Sequence, residues 1–178
     1  FNFHGGAEWP GGSFDLKSET LFVTASNIAW ETEVRLNKKK SKFSVEPYYK
    51  FNSSFKRLLD EEGYPGSKPP WGTITAINLK NGKIKWQKPF GEYEKLSNTG
   101  VPITGTENYS GVTGTEAGIL FATGTLDKKF RVLDSDNGKE LWSYTLPFIG
   151  SSPPVTYQVG DEQYVLVNST GSFSLKKG

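Results

Sequence analysis

The sequence predicts an all-β chain: a partial β-propeller of about two and a half four-stranded antiparallel blades, carrying one long, partly helical insertion. Three observations predict it. A hairpin ending in tryptophan occurs twice in register. A second set of short apolar strands recurs at blade-sized spacing. Aromatic residues make up 14% of the chain, and rings pack well on pleated sheets.

In chain order, residues 9–14 read as an extended segment, followed by a turn and the buried strand Thr20-Leu21-Phe22-Val23-Thr24. The stretch 27–70 is an insertion rich in Lys, Ser and Tyr. Within it, 54–62 is expected to form a short helix: Ser54 can cap it, Phe55, Leu58 and Leu59 share a face, and Gly63 stops it. Next comes the first Trp hairpin, Ala76-Ile77-Asn78-Leu79-Lys80-Asn81-Gly82-Lys83-Ile84-Lys85-Trp86. Residues 108–113 are a second extended segment, leading to Ile119-Leu120-Phe121-Ala122-Thr123. The second Trp hairpin is Val132-Leu133-Asp134-Ser135-Asp136-Asn137-Gly138-Lys139-Glu140-Leu141-Trp142, with a turn centred on Asn-Gly, whose two positions both favour positive φ in a tight hairpin. Residues 153–159 and Gln163-Tyr164-Val165-Leu166-Val167 repeat the opening of a blade. Phe121 and Val165 are 44 residues apart, inside the blade period of about 40–50, whereas Phe22 and Phe121 are 99 apart because the insertion intervenes. The expected division is a blade at 9–90 with the insertion at 27–70, a blade at 91–147, and a half blade at 148–178.

Composition narrows the chemistry. The chain lacks Cys, which excludes disulfides, thiolate catalysis and Cys-based metal sites. The single histidine, His4, builds neither a His-rich metal site nor a convincing Ser-His-Asp triad. A net charge of +2 and a basic run at 38–42 without interleaved aromatics give no nucleic-acid footprint, and the run reads as a solvated loop. No apolar stretch approaches the ~20 residues that span a bilayer. The opening Phe1-Asn2-Phe3-His4, without an initiator Met, reads as a processed, cut or partial product. An open arc of blades leaves apolar faces and a strand edge uncovered. The expectation is therefore a fragment, partnered by missing blades of the same or a second chain, or by self-association.

The two Trp hairpins resemble the tryptophan-docking motif of the pyrroloquinoline quinone (PQQ)-dependent dehydrogenases, with Val132 where the motif usually has Ala. His4-Gly5-Gly6-Ala7-Glu8-Trp9-Pro10-Gly11-Gly12, Pro69-Pro70-Trp71-Gly72, Gly105-Thr106-Glu107-Asn108-Tyr109 and Thr156-Tyr157-Gln158-Val159 are similar, in wording and order, to the C-terminal third of its glucose-type membrane members. The resemblance implies an eight-bladed periplasmic propeller with PQQ and calcium. It implies oxidation of a sugar or alcohol hydroxyl, with electrons passed to a quinone or cytochrome and any membrane anchor outside this segment. The family's catalytic Asp and calcium ligands come from blades that precede this region, so no catalytic or metal-ligating residue is assigned here, and the isolated chain is expected to be inactive.

Three residues are expected to face the cofactor. Glu8 and Trp9 lie on a predicted innermost strand, with inter-blade packing as the competing reading. Asn108 holds the equivalent place one blade later and could donate an amide hydrogen to a quinone carbonyl, with a plain Asx turn as the alternative. Several family members have Asn at the position of Glu8, and alcohol-oxidising members have Trp at that of Asn108, which leaves the substrate open. Trp86 and Trp142 are read as structural, and Trp71 as blade packing. Trp30 and the Tyr48-Tyr49 pair belong to the insertion, either facing substrate or pinning a loop; Asp127 closes a turn. A paired-carboxylate glycosidase using Glu8 and Asp15 is discounted, because an odd separation puts them on opposite faces of a strand unless a bulge intervenes. The remaining rival is a non-enzymatic propeller scaffold of the outer-membrane assembly lipoprotein type.

Overall fold

The computed structural model describes residues 5–36 and 49–171, with the side chains of Glu8 and of residues 49–55 outside that description; His4, the basic run at 38–42 and Tyr48 also lie outside the described residues. The first sheet contains β1 (Gly5–Asp15), β2 (Thr20–Asn27), β5 (Gly72–Asn78) and β6 (Lys83–Pro89), antiparallel and in the order β1-β2-β5-β6. Between β2 and β5 the insertion forms its own hairpin, β3 (Trp30–Leu36) paired with β4 (Tyr49–Arg57). A short helix, α1 (Glu94–Asn98), leads to the second sheet: β7 (Val112–Gly114), β8 (Ile119–Ala122), β9 (Lys129–Asp134) and β10 (Glu140–Thr145), adjacent in chain order. A two-stranded sheet follows, β11 (Val155–Val159) with β12 (Glu162–Leu166).

The two four-stranded sheets stack in the same order. At the inner edge the Gly114 N–H donates to Ser13 Oγ at 2.9 Å; at the outer edge the Trp86 indole N–H donates to the Ser135 carbonyl at 2.9 Å. The core lies between them: Phe22, Ile74, Ala76, Trp86 and Phe90 from one side meet Val112, Leu120, Ala122 and Leu133 from the other. On β2, burial alternates strictly, so Thr20, Phe22, Thr24 and Ser26 share the buried face. Three of those four are hydroxyl residues, and the segment that leads into β7 answers two of them: Thr24 Oγ1 donates to the Ser110 carbonyl at 2.8 Å and Ser26 Oγ to that of Asn108 at 3.2 Å. These are the partial propeller blades the repeat predicts.

Both Trp hairpins share one local design. Asn78 and Asp134 accept the N–H two residues on, Asn81 and Asn137 do the same, and the Gly82 and Gly138 N–H groups reach back to the Asn78 and Asp134 carbonyls at 2.8 Å. Only the glycine is left-handed, at φ 70° in both copies, so the expected pair of positive-φ positions is corrected to one. The side-chain caps stabilise a wider turn than the two-residue hairpin. In each copy the register then slips by one residue just before the tryptophan, at Lys85 and at Leu141, a bulge that re-aims the ring. Trp86 uses that aim to lie on the next blade at Gly138, where a methyl group would come within 2.8 Å of the ring.

Two further expectations change. The helix at 54–62 is absent: β4 runs to Arg57, paired with β3 from Trp30↔Arg57 to Leu36↔Tyr49. A nine-residue helix carries a nucleation cost that a ready strand edge does not. Beyond β4 the chain turns instead around Asp60, whose Oδ1 accepts the N–H groups of Glu62 and Tyr64, leaving Leu58 and Leu59 about half exposed. The extended segment expected at 108–113 is a strand only from Val112, and Asn108 makes a single bridge, to Thr125.

Candidate functional site

The connections β2–β5, β6–β7 and β8–β9 leave from the same end of the sheets, and the predicted site residues gather there. At its centre, residues 104–112 form a wholly buried strip between the first sheet, the insertion and the β8–β9 connection. Its side chains alternate in destination. Asn108 turns to β2: its backbone N–H donates to Ser26 Oγ at 3.1 Å, and its Nδ2 donates to the Ala25 carbonyl at 3.1 Å. The Asn108 Oδ1 atom is enclosed and has no hydrogen-bond partner among the described residues.

Glu107 and Tyr109 turn to the insertion. The Glu107 side chain is 3% exposed, and Arg57, the last residue of β4, places Nη2 at 2.8 Å from both of its oxygens. The Tyr109 hydroxyl donates to the same carboxylate, and the Arg57 guanidinium lies 5.5 Å over the Trp30 ring. Breaking a buried pair of this kind strands a charge in a poorly solvating site, a loss of about 3–5 kcal/mol. Burial and the neighbouring Glu107 carboxylate push the Tyr109 phenol above its ordinary range, and the same two influences push Tyr93 up to about 12.

Beside this group, Tyr64 stacks on Trp71 with ring centres 6.5 Å apart, and Tyr93 meets both rings edge-on. Trp71 also donates its indole N–H to the Ser67 carbonyl at 2.7 Å, so its packing role holds. An open cleft of about 530 Å³ adjoins these rings, lined by Tyr64, Tyr93, Glu92, Leu126, Asp127 and Lys129. Asp127 does close a turn, accepting the Lys129 N–H, but it also pairs with buried Arg131 and accepts from Thr125 Oγ1 at 2.6 Å. Burial alone would raise its pKa; the Arg131 guanidinium and these donors outweigh burial and hold it below the usual carboxylate value.

Glu8 and Trp9 lie elsewhere on the same end, at the inner rim. The pairing of β1 with β2 breaks between Ala7↔Ala25 and Gly12↔Val23, so residues 8–11 face Thr24 alone and bulge from the sheet edge. Trp9 stands on that bulge with 79% of its surface exposed. The bulge rests on the following blade, where a methyl group at Gly111 would be 3.4 Å from Pro10 Cβ and 3.1 Å from Pro153 Cγ. The inner rim thus brings Trp9 within a few residues of the Asn108 strip, with Trp9 outside it and Asn108 enclosed behind it. Neither residue lines the 530 Å³ cleft. Sequence reasoning missed Arg57 and Glu107. The available signal was Glu107 itself, the lone charge between Lys95 and Glu116.

Residues 1–165 match the family model described as "PQQ: Glucose/ethanol/alcohol dehydrogenase, beta-propeller domain". The chain is 34% identical over 131 residues to the quinate/shikimate dehydrogenase (quinone) of Acinetobacter baylyi, covering 70% of this chain and 16% of that protein. It is 30% identical over 148 residues to the quinoprotein glucose dehydrogenase of Escherichia coli, covering 75% and 18%. The chain therefore spans less than a fifth of the length of these two relatives. Among solved structures, the quinohemoprotein alcohol dehydrogenase of Comamonas testosteroni superposes with a TM-score of 0.59 at 19% identity, over 90% of this chain and 22% of that one, a likeness of fold.

Proposed function

Because the chain belongs to the PQQ-dependent quinoprotein dehydrogenase family, whose propeller-domain model matches residues 1–165, we propose that it supplies one wall of the cofactor funnel in an enzyme oxidising a sugar or alcohol hydroxyl. The observation that carries the reading is Trp9: a large ring held almost fully exposed at the innermost edge of a blade, on a bulge that the next blade supports. A single exposed ring is common on protein surfaces; what singles out Trp9 is its place on a supported bulge at the innermost edge of the sheet. A flat tricarboxylate needs an aromatic surface and hydrogen-bonding groups in a site that excludes water.

In this reading Trp9 offers the face, and Glu8 on the same bulge offers a polar neighbour. Asn108 has no open surface, and one of its Nδ2 hydrogens is committed to Ala25, so its contribution is to hold the strip behind the rim. Bound PQQ with its calcium ion supplies the two-electron oxidant. The general base and the metal ligands come from outside residues 1–178, which makes this stretch inactive by itself. The location is the periplasm, and the electrons pass to a quinone or a cytochrome. The family match favours this reading over the non-enzymatic scaffold.

The test is a titration of PQQ and Ca²⁺ into the protein, following quinone absorbance and tryptophan fluorescence, with native mass recorded alongside. Uptake of PQQ that Trp9→Ala weakens at least tenfold supports the reading. Uptake that neither Trp9→Ala nor Glu8→Gln alters would remove this inner rim from the site.

A further inference from the structure

We propose that Arg57, Glu107 and Tyr109 are positioning residues that couple the insertion hairpin to the cofactor-facing rim; the link to the rim rests on the reading above. Two side chains meet at the Glu107 carboxylate, and a ring of the hairpin backs one of them. Arg57 arrives from the last position of β4, with Nη2 2.8 Å from both oxygens. Tyr109 donates to it from two residues along the same strip. Trp30, the first residue of β3 and the register partner of Arg57, lies under the guanidinium at 5.5 Å, so both strands of the hairpin converge on one buried charge.

The coupling follows from the alternation of the strip. Glu107 and Asn108 are consecutive, and their side chains are bound on opposite sides, to the insertion and to β2. Three residues further, Gly111 carries the bulge that presents Trp9. A hairpin that shifts must drag Glu107 with it or strand a carboxylate that is 3% exposed. Either way the strip that backs the rim moves. The hairpin therefore acts on the position of the rim as well as shielding the end of the blades, and its sequence can tune cofactor or substrate fit without touching either.

Hydrogen exchange on the protein tests this, read at β3 and β4, at residues 104–112, and at β9 and β10 as a control. Arg57→Ala is expected to speed exchange at least tenfold in the hairpin and in the strip together, leaving β9 and β10 unchanged. Arg57→Lys should restore most of the protection, and Glu107→Gln placed on Arg57→Ala should recover part of it in the strip. Faster exchange in the hairpin with an unmoved strip would overturn the proposal. Should Arg57→Ala unfold the chain, seen as faster exchange in β9 and β10 as well, Arg57→Lys decides: hairpin and strip changing together, by a smaller rise in both or by full protection of both, supports coupling, and a rise in the hairpin with none in the strip refutes it. With PQQ and Ca²⁺ added, wild-type protection of the strip should rise and that of Arg57→Ala should not. A wild-type protein that takes up no PQQ counts against the cofactor reading alone, since the exchange pattern without PQQ still decides the coupling.

Discussion

The duplicated hairpin provides an internal control for what a docked tryptophan contributes. Trp86 is 9% exposed, donates its N–H to the Ser135 carbonyl at 2.9 Å, and packs on Gly138 of the next blade. Trp142 occupies the same motif position, yet it is 52% exposed and touches Phe130 and Tyr144 of its own sheet. Trp86→Phe removes the indole N–H and leaves a buried carbonyl unpaired, worth about 1–3 kcal/mol. The lost part of the ring, roughly 50 Å² at ~25 cal/mol/Å², adds about 1 kcal/mol. A total near 3 kcal/mol corresponds to a fall in Tm of roughly 6–12 °C for a chain of this size. Trp142→Phe should stay below about 1 kcal/mol, because its surface already faces water and its indole makes no hydrogen bond among the described residues. Urea unfolding of the two variants, followed by far-UV circular dichroism, measures both. Equal losses, or a Trp86→Phe loss under about 1 kcal/mol, would refute the claim that the N–H bond and the packing across the blades carry the dock.

Three other outcomes follow from the same geometry. Gly138→Ala and Gly82→Ala share φ 70°, so both should lose about 1–2 kcal/mol to left-handed strain, but only Gly138→Ala also drives a methyl group to 2.8 Å from Trp86 and should lose clearly more in the same unfolding assay. Asp127 holds a folded-state pKa below its ordinary 3.8, so its contribution is present above that value and is lost as the pH falls through the folded pKa; Asp127→Asn should flatten this acid limb and leave buried Arg131 with Glu140 as its one remaining carboxylate, a loss of about 1–3 kcal/mol near neutrality, as measured by urea titrations across pH. Tyr93 is raised from 10.0 to about 12, so the unfolded chain ionises first; its contribution is intact below pH 10 and is lost as the pH climbs toward 12, and Tyr93→Phe should reduce the slope of thermal stability against pH in that window.

The parts of the fold that repeat were legible, because repetition puts the same local chemistry on the page twice. The Asn-Gly-Lys and Trp spacing located β5–β6 and β9–β10, and the apolar runs around Phe22, Phe121 and Val165 located β2, β8 and β12. The insertion occurs once and was misread for that reason. The helical spacing of Phe55, Leu58 and Leu59 is real, but pairing with β3 decides the conformation, and nothing local to 54–62 announces a partner strand at 30–36. At the site, Trp9 could be placed on an inner strand from the blade pattern, whereas its bulge could not, because a register slip depends on what lies opposite. Asn108 fell at the right end of the blade, but its enclosure depends on Ala25 and Ser26, more than 80 residues away. Arg57 and Glu107 are 50 residues apart, and a lone acidic residue in an uncharged stretch was the only trace of their bond.

The Trp86 dock also gives the arc a direction in time. The indole of one blade closes on a carbonyl 49 residues further along the chain, in the Asp134–Lys139 turn of its successor. A ribosome adding about 10 residues per second delivers that acceptor some 5 s after the tryptophan itself. Until then the outermost strand of the earlier blade can pair with its own sheet but cannot be locked. The first blade is therefore sealed by the second, synthesised after it, and a pause in translation between the two would hold an aromatic edge open to solvent and to other nascent chains.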